Sequence, residues 1–273
     1  MIMKASMWSG YFVDLNPEEM VIAFQNKGWN YSELSSEHAS ILFERGDPKV
    51  FGAQFKHYAD EHGVFFLQGH IDLSCKICSD DSTIDRIKKW LDLFIAIGIK
   101  SAVLHCDVYS FPKETPSHIK IEKNITAIRK LTDHLQGTDT VLCLENLIGE
   151  STITSSIDDL LTIVCALDSP NAGVCLDTGH LNLSGKNQVD FIRRAGDKLK
   201  ALHIADNEGF VDQHLLPFGC GNVDFSSVVS ALREIGYNGL FNYEIPGENR
   251  IPLKIRYLKL DYIKKMTEYL FNV

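Results

Sequence analysis

No stretch of the chain approaches the ~18 consecutive apolar residues that a membrane helix needs. The longest, Leu93–Ile99, is interrupted by Gly98, so no membrane span is expected. The opening residues, MIMKASMWSGYF, lack a sustained apolar run behind a basic flank, and a secretory signal is not expected either. Glycine-rich phosphate loops are missing. After the first apolar run, Met7-Trp8-Ser9-Gly10 offers one glycine where a dinucleotide fingerprint needs several. Basic residues are the minority, 27 against 36 acidic, for a formal charge of −9. A nucleic-acid groove needs clustered Lys and Arg, so this balance argues against one. Cys75 and Cys78 form a CxxC with no second pair at zinc-ribbon spacing. Reduced thiols in a cytoplasmic protein are expected.

What remains has ordinary globular proportions, 45% apolar and 23% charged, which excludes disordered and fibrous classes. No linker, charge block or low-complexity stretch marks a boundary, so residues 1–273 are expected to form one domain. Short β-rich runs recur: Lys4–Met7, Tyr31–Leu34, Val64–Gln68, Ser101–His105, Val141–Glu145, Ala172–Asp177, Leu199–His203 and Leu240–Glu244. Between them, apolar residues return at three- and four-residue spacing, as on a helix with one buried face. Thr83–Gly98 shows this well, with Ser82 or Thr83 as the expected cap and Gly98 as the stop. Asn16-Pro17-Glu18-Glu19 reads as another start, and Phe225–Gly236 and Pro252–Leu270 as the last two helices. Eight strands alternating with eight helices imply parallel βαβ units. The fold class expected is α/β, a closed (β/α)8 TIM barrel with parallel strands.

Active sites of such barrels are built at the C-terminal strand ends. Polar residues recur there: His105, Glu145 with Asn146 after it, Asp177 followed by Thr178-Gly179-His180, His203 with Asp206 close behind, and Glu244. Glu and His are poor helix caps beside Ser, Asp or Asn, so polar ends at one register point to a shared site. Period-two alternation places Cys143, Cys175, Ala201 and Asn242 beneath Glu145, Asp177, His203 and Glu244. All four are small, leaving room above a shallow core layer. Two Glu, one Asp and one His brought together repel one another unless carboxylates hold protons or a divalent cation neutralises them. The mixed oxygen and nitrogen set suits Mn2+, Zn2+, Co2+ or Fe2+, and a divalent metal is the expected cofactor.

The segments CLENL (143–147), VCLDTGHLN (174–182), LHIADNEG (202–209), DQHLLPFGCGNVDF (212–225) and FNYEIPGE (241–248) resemble the xylose-isomerase-like TIM-barrel superfamily. That superfamily includes sugar isomerases and epimerases, inosose dehydratases and the endonuclease-IV type of DNA repair enzyme. The resemblance implies a metal site on Glu145, Asp177, His203 and Glu244, with the two Glu also acting as the acid/base pair and His180 touching substrate oxygens. In the endonuclease group a trinuclear zinc cluster uses further ligands, matched here by His70, His105, His180, Asp212 and His214. The leading expectation is isomerisation or epimerisation of a small sugar or polyol derivative. The metal, one per chain and up to three, would acidify a C–H bond next to a carbonyl, and the two Glu would pass the proton through an enediolate. The alternatives are phosphodiester hydrolysis at abasic DNA, a related metal-dependent dehydratase, and a binding barrel without turnover. The intact Glu145/Glu244 pair argues against the last. Against the DNA reading stand the strand-end loops, where Lys113, Lys186 and Arg250 face Asp107, Glu114, Glu150, Glu208, Asp212 and Glu248. A homodimer or homotetramer is permitted, and a free sugar is preferred to a sugar phosphate.

Other polar and aromatic residues carry plainer expectations. His38 either reaches the substrate or sits exposed on a loop, and Glu33 either bonds a ligand or pairs with a neighbour. His57, His62, His118 and His134 are expected on helix surfaces. Trp8, at the end of the first strand, either lines an apolar wall of a sugar pocket or is buried in the barrel; Phe12, Tyr109 and Phe210 are similarly placed loop aromatics, and Asp206 is expected to orient a ligand from behind.

Overall fold

Large apolar side chains and small or polar ones alternate along the strands, and the two sets fill different compartments. The structure, a computed structural model, describes residues 3–73, 76–149 and 153–272, so Cys75 and Glu150 lie outside the described residues. Its strands are β1 (Lys4–Trp8), β2 (Tyr31–Leu34), β3 (Phe65–His70), β4 (Ser101–Leu104), β5 (Val141–Glu145), β6 (Ala172–Asp177), β7 (Leu199–His203) and β8 (Leu240–Tyr243). They form one parallel sheet in the order β7-β6-β5-β4-β3-β2-β1-β8. The two ends meet at a bridge between Ile204 and Tyr243. There Ile204 N donates to Asn242 O at 2.8 Å and Glu244 N donates to Ile204 O at 3.2 Å. The result is a nearly closed (β/α)8 barrel.

The helices are α1 (Pro17–Asn26), α2 (Ser36–Phe43), α3 (Pro48–Glu61), α4 (Asp81–Ile97), α5 (Ser117–His134), α6 (Ile157–Leu167), α7 (Thr178–Leu183), α8 (Gln188–Ala195), α9 (Phe225–Glu234) and α10 (Leu253–Leu270). Two connections hold two helices each where one was expected, because each carries a second cap. Ser35 accepts from His38 N to start α2, and Asp47 with Pro48 starts α3. Asp177 and Asn187 do the same for α7 and α8. Asn16 caps α1 in a reciprocal capping box with Glu19. The cap of α4 is Asp80 rather than Ser82 or Thr83; its carboxylate takes the Thr83 N–H and both neighbouring hydroxyls. Gly98 stops that helix in the left-handed region, at φ 89°.

Outward-facing strand residues such as Met7, Leu104, Leu142, Leu144, Leu176, Leu202 and Phe241 join the helices in the main core. Each such side chain fully buried contributes about 1.5–3 kcal/mol. Phe12 belongs to this core, fully buried against Phe24 and Tyr11, and is not a mouth aromatic. Inside the barrel Val103, Cys143, Cys175 and Ala201 form a separate small cluster. The expected layer of small residues beneath the strand ends is therefore present. Beside it runs a polar chain: Ser6 Oγ donates to Asn242 Oδ1 at 2.8 Å, and Asn242 Nδ2 donates to Glu33 Oε2. Among the described residues, no helix is long and apolar enough to cross a membrane.

Because Ala201 is fully buried in that small layer, Ala201→Leu should overpack it. The expected loss is about 1–3 kcal/mol of stability, read as a lower urea midpoint with an unchanged m-value.

Candidate active site

Strand length decides which side chains reach the barrel mouth. β3 runs two residues further than expected and ends on His70, while β4 and β8 stop one residue short, placing His105 and Glu244 just beyond the sheet. Glu145, Asp177 and His203 are the last residues of β5, β6 and β7. Asp212 and His214 come from the β7–α9 loop, and His180 from the first turns of α7.

Glu145 is the meeting point. Its Oε2 lies 3.2 Å from His70 Nε2 and 3.0 Å from His105 Nε2. Its Oε1 lies 3.1 Å from His203 Nδ1 and 3.3 Å from His180 Nδ1. Three groups have donor atoms within 4.8 Å of one another: His70, Glu145 and His203; Glu145, Asp177, His203 and Glu244; and His180, Asp212 and His214. Every predicted site residue thus falls in one connected cluster, with His105 joined through Glu145.

For His203, His70, His180 and His214 the partner on the far side marks which nitrogen keeps its proton and which faces the site. His203 Nε2 faces Glu33 Oε1 at 3.0 Å, which fixes the proton there and leaves Nδ1 for the site. His70 Nδ1 donates to Ile71 O at 2.7 Å, His180 Nδ1 to Asn146 O at 3.0 Å, and His214 Nδ1 to Glu244 O at 2.8 Å. The Nε2 atoms of His180 and His214 then converge on Asp212 Oδ2, at 3.4 and 3.3 Å. Asp177 divides its carboxylate. Oδ1 caps α7 through His180 N at 2.6 Å, so this strand-end residue is a helix cap as well as a site residue. Asp177 Oδ2 and His203 Nδ1 are both buried with no hydrogen-bond partner. Two orphaned donors beside two carboxylates, with the imidazole anchored from behind by a third, are the donor chemistry of a divalent cation site.

Residues 25–266 match the family model described as xylose isomerase-like TIM barrel. The chain belongs to this family. It is 24% identical over 254 residues to an L-ribulose 3-epimerase of Methylomonas sp. (strain DH-1), covering 88% of this chain and 82% of that one. It is 30% identical over 237 residues to a ketose 3-epimerase of Arthrobacter globiformis, covering 81% and 78%. Two further relatives are spanned over only about half their length, 53% of one and 43% of the other. Among solved structures, a D-psicose 3-epimerase with D-tagatose from Clostridium cellulolyticum H10 superposes with a TM-score of 0.82 at 16% identity, over 98% of this chain and 99% of that one.

Within this xylose isomerase-like barrel, burial and charge compete at each group. Burial raises the Glu244 carboxyl to about 7, while for Glu145 burial is overridden by His203 and His105, which hold it well below its usual range. Burial disfavours charge on His70, but Glu145 raises it; on His105 burial wins and the ring is lowered. Burial also opposes charge on His180 and His214. Asp177 with Asp212 nonetheless lifts His180 to about 12, and Asp212 with Glu244 lifts His214 to about 10.

Several residues carry more than their sequence positions indicated. Glu33, fully buried near the end of β2, pairs with His203 and Asn242. A carboxylate next to the last residue of a short strand is the signal that identifies it. Asn146 joins β5 to β6, accepting from Asp177 N at 2.7 Å and donating to Asp177 O at 3.0 Å. His38 is neither exposed nor at the site. It is fully buried, with Nε2 on Leu15 O at 3.0 Å and Nδ1 on Ser9 Oγ at 3.0 Å, so it ties α2 to the β1 connection. Asp206 holds loop backbone, accepting from Asn207 N and Val223 N. A Cβ on Gly221 would sit 2.0 Å from its carboxyl carbon, which requires glycine there. Trp8 is half-buried, its indole lying over Gly10, and Tyr109 and Phe210 are each 74% exposed.

Two outcomes are expected. Glu33→Gln should weaken Co2+ binding about 10–100-fold, read from the visible absorption of the Co2+-titrated protein, because His203 loses the carboxylate that fixes its tautomer. Metal binding at His180, Asp212 and His214 should also release about two protons per ion near pH 7, read as a buffer-dependent calorimetric enthalpy. In metal-free protein the raised His214 contributes stability that is full below its unfolded pKa of about 6.5. That contribution is lost as pH rises through about 10.

Proposed function

We propose that this protein is a metal-dependent isomerase or epimerase of a small ketose, aldose or polyol derivative. The observation that carries this reading is the placement of Glu145 and Glu244, from β5 and β8, in one donor group with Asp177 and His203. Two relatives named as 3-epimerases of L-ribulose and of ketoses support the substrate class.

Glu145, Asp177, His203 and Glu244 would hold the cation. When bound, it polarises a carbonyl and the adjacent hydroxyl oxygen, which makes the C–H between them more acidic. The chain's own residues do the rest. One Glu takes the proton from that carbon, giving an enediolate, and the other returns a proton. Return to the opposite face of the same carbon is epimerisation; return to the neighbouring carbon is isomerisation. Without the cation the two environments already differ, since His203 and His105 hold Glu145 low while burial raises Glu244. Glu33 and Asn146 position His203 and Asp177.

A second reading, a multinuclear zinc phosphodiesterase acting on abasic DNA, is favoured by one observation: the His70/His105 side of Glu145 and the His180, Asp212 and His214 group are both assembled. Elemental analysis of protein purified without added metal separates the two. About one Mn, Co, Fe or Zn per chain, with D2O exchange into ketoses by NMR, supports the isomerase. Close to three Zn per chain with cleavage of an abasic duplex would replace it with the hydrolase. Glu244→Gln should lower the D2O exchange rate at least ~10²-fold with the fold retained by circular dichroism; an unaffected rate would remove Glu244 from the proton transfer.

A further inference from the structure

The β7–α9 loop, the β8–α10 loop and helix α10 enclose a cavity of about 640 Å³. Its walls are mostly apolar: Leu215 and Leu216 from the first loop, Ile245 and Pro246 from the second, Leu258 and Tyr262 from α10. Tyr11 closes one side, its hydroxyl already donated to the carbonyl of Arg256 at 2.9 Å. The volume falls within the roughly 300–1,000 Å³ range of small-molecule sites. Leu258 is 58% and Tyr262 56% exposed, an apolar surface that water covers unfavourably.

Three observations bear on what would fill it. His214 is part of the wall, and the same imidazole presents Nε2 to Asp212 at 3.3 Å, so the cavity shares a side chain with the site cluster. The charged groups of the lining cancel, because Lys259 Nζ pairs with Glu248 Oε1 at 2.6 Å; an anionic headgroup would find no unpaired lysine there. In each loop a non-glycine residue is kept in the left-handed region, His214 at φ 47° and Glu248 at φ 52°, a conformation that persists where the surroundings fix it. The wall of Leu, Ile and Tyr differs in character from the carboxylates and imidazoles of the neighbouring site.

We propose that the cavity receives a neutral hydrophobic substituent, aromatic or alkyl, of a substrate whose sugar portion sits at Glu145 and Glu244. The substrate class is then a sugar carrying an apolar group rather than a free ketose. This rests on the isomerase reading above, and the test separates the two.

Metal-loaded full-length protein is titrated calorimetrically with D-fructose, 6-O-benzyl-D-fructose and benzyl alcohol, alongside Leu258→Asp and, as a second variant, Tyr262→Asp. Both substitutions are at exposed positions of α10. The expected result is binding of the benzylated ketose about tenfold or more tighter than D-fructose, the scale on which a buried apolar group discriminates. Either variant should erase that difference and leave D-fructose unchanged. Equal affinities for the two ketoses, insensitive to both variants, would overturn the proposal. So would loss of a dimer in Leu258→Asp by sedimentation with benzyl recognition intact, which assigns the face to a second copy of the chain. Benzyl alcohol binding that the variants abolish, without D2O exchange into either ketose, would keep the apolar site and discard the isomerase reading.

Discussion

A single carboxylate, 1% exposed, lies within hydrogen-bonding or near-contact distance of four imidazoles, and the architecture of the mouth follows from that. Glu145 buried alone would be strongly destabilising. It is tolerable because β3, the end of β4, α7 and β7 each deliver a histidine to it. Three of those rings are in turn tied back: His70 to Ile71, His180 to Asn146, His203 to Glu33. The outer partners are backbone carbonyls or a buried carboxylate, which fix ring orientation without crowding the mouth. These ties orient the rings towards Glu145 in advance, the kind of fixed arrangement in which charges stabilise a reaction most effectively.

The separation of the molecule into two cores serves the same end. The large aliphatic and aromatic residues lie between sheet and helices, where ridge-and-groove packing can use their volume. Among the described residues, Val103, Cys143, Cys175 and Ala201 form the buried apolar cluster of the barrel interior, with Val141 packed against it and Ser6, Asn242 and Glu33 joined in a polar chain. Small side chains below the mouth let Glu33 lie deep enough to reach the back of His203. An interior filled with Leu and Ile would exclude it.

Much of this was legible in the sequence because the strands of a parallel barrel are short and their polar ends stand out against apolar surroundings. The register of Glu145, Asp177, His203 and Glu244 over Cys143, Cys175, Ala201 and Asn242 needed only period-two counting. Capping chemistry was partly legible: Asn16 was, whereas Asp80 lost to nearer hydroxyl residues because propensity does not say which of three adjacent caps the chain will use. His38 and Phe12 were misplaced for a shared reason. Both follow a strand end closely, and sequence spacing cannot tell a loop that opens onto the mouth from one that folds back beneath α1 and α2. Glu33 was visible but undecided, since its role depends on β7, far away in the chain.

The barrel seam gives one last consequence. β7 and β8 are joined by the Ile204–Tyr243 bridge and two backbone hydrogen bonds, immediately between His203 on one side and Glu244 on the other. Any breathing of the cylinder at this join pulls those two side chains apart. A cation gripped by both would act as a clasp on the join. Loading the centre and latching the cylinder are then one equilibrium, and its loss would be felt first as faster amide exchange along β8.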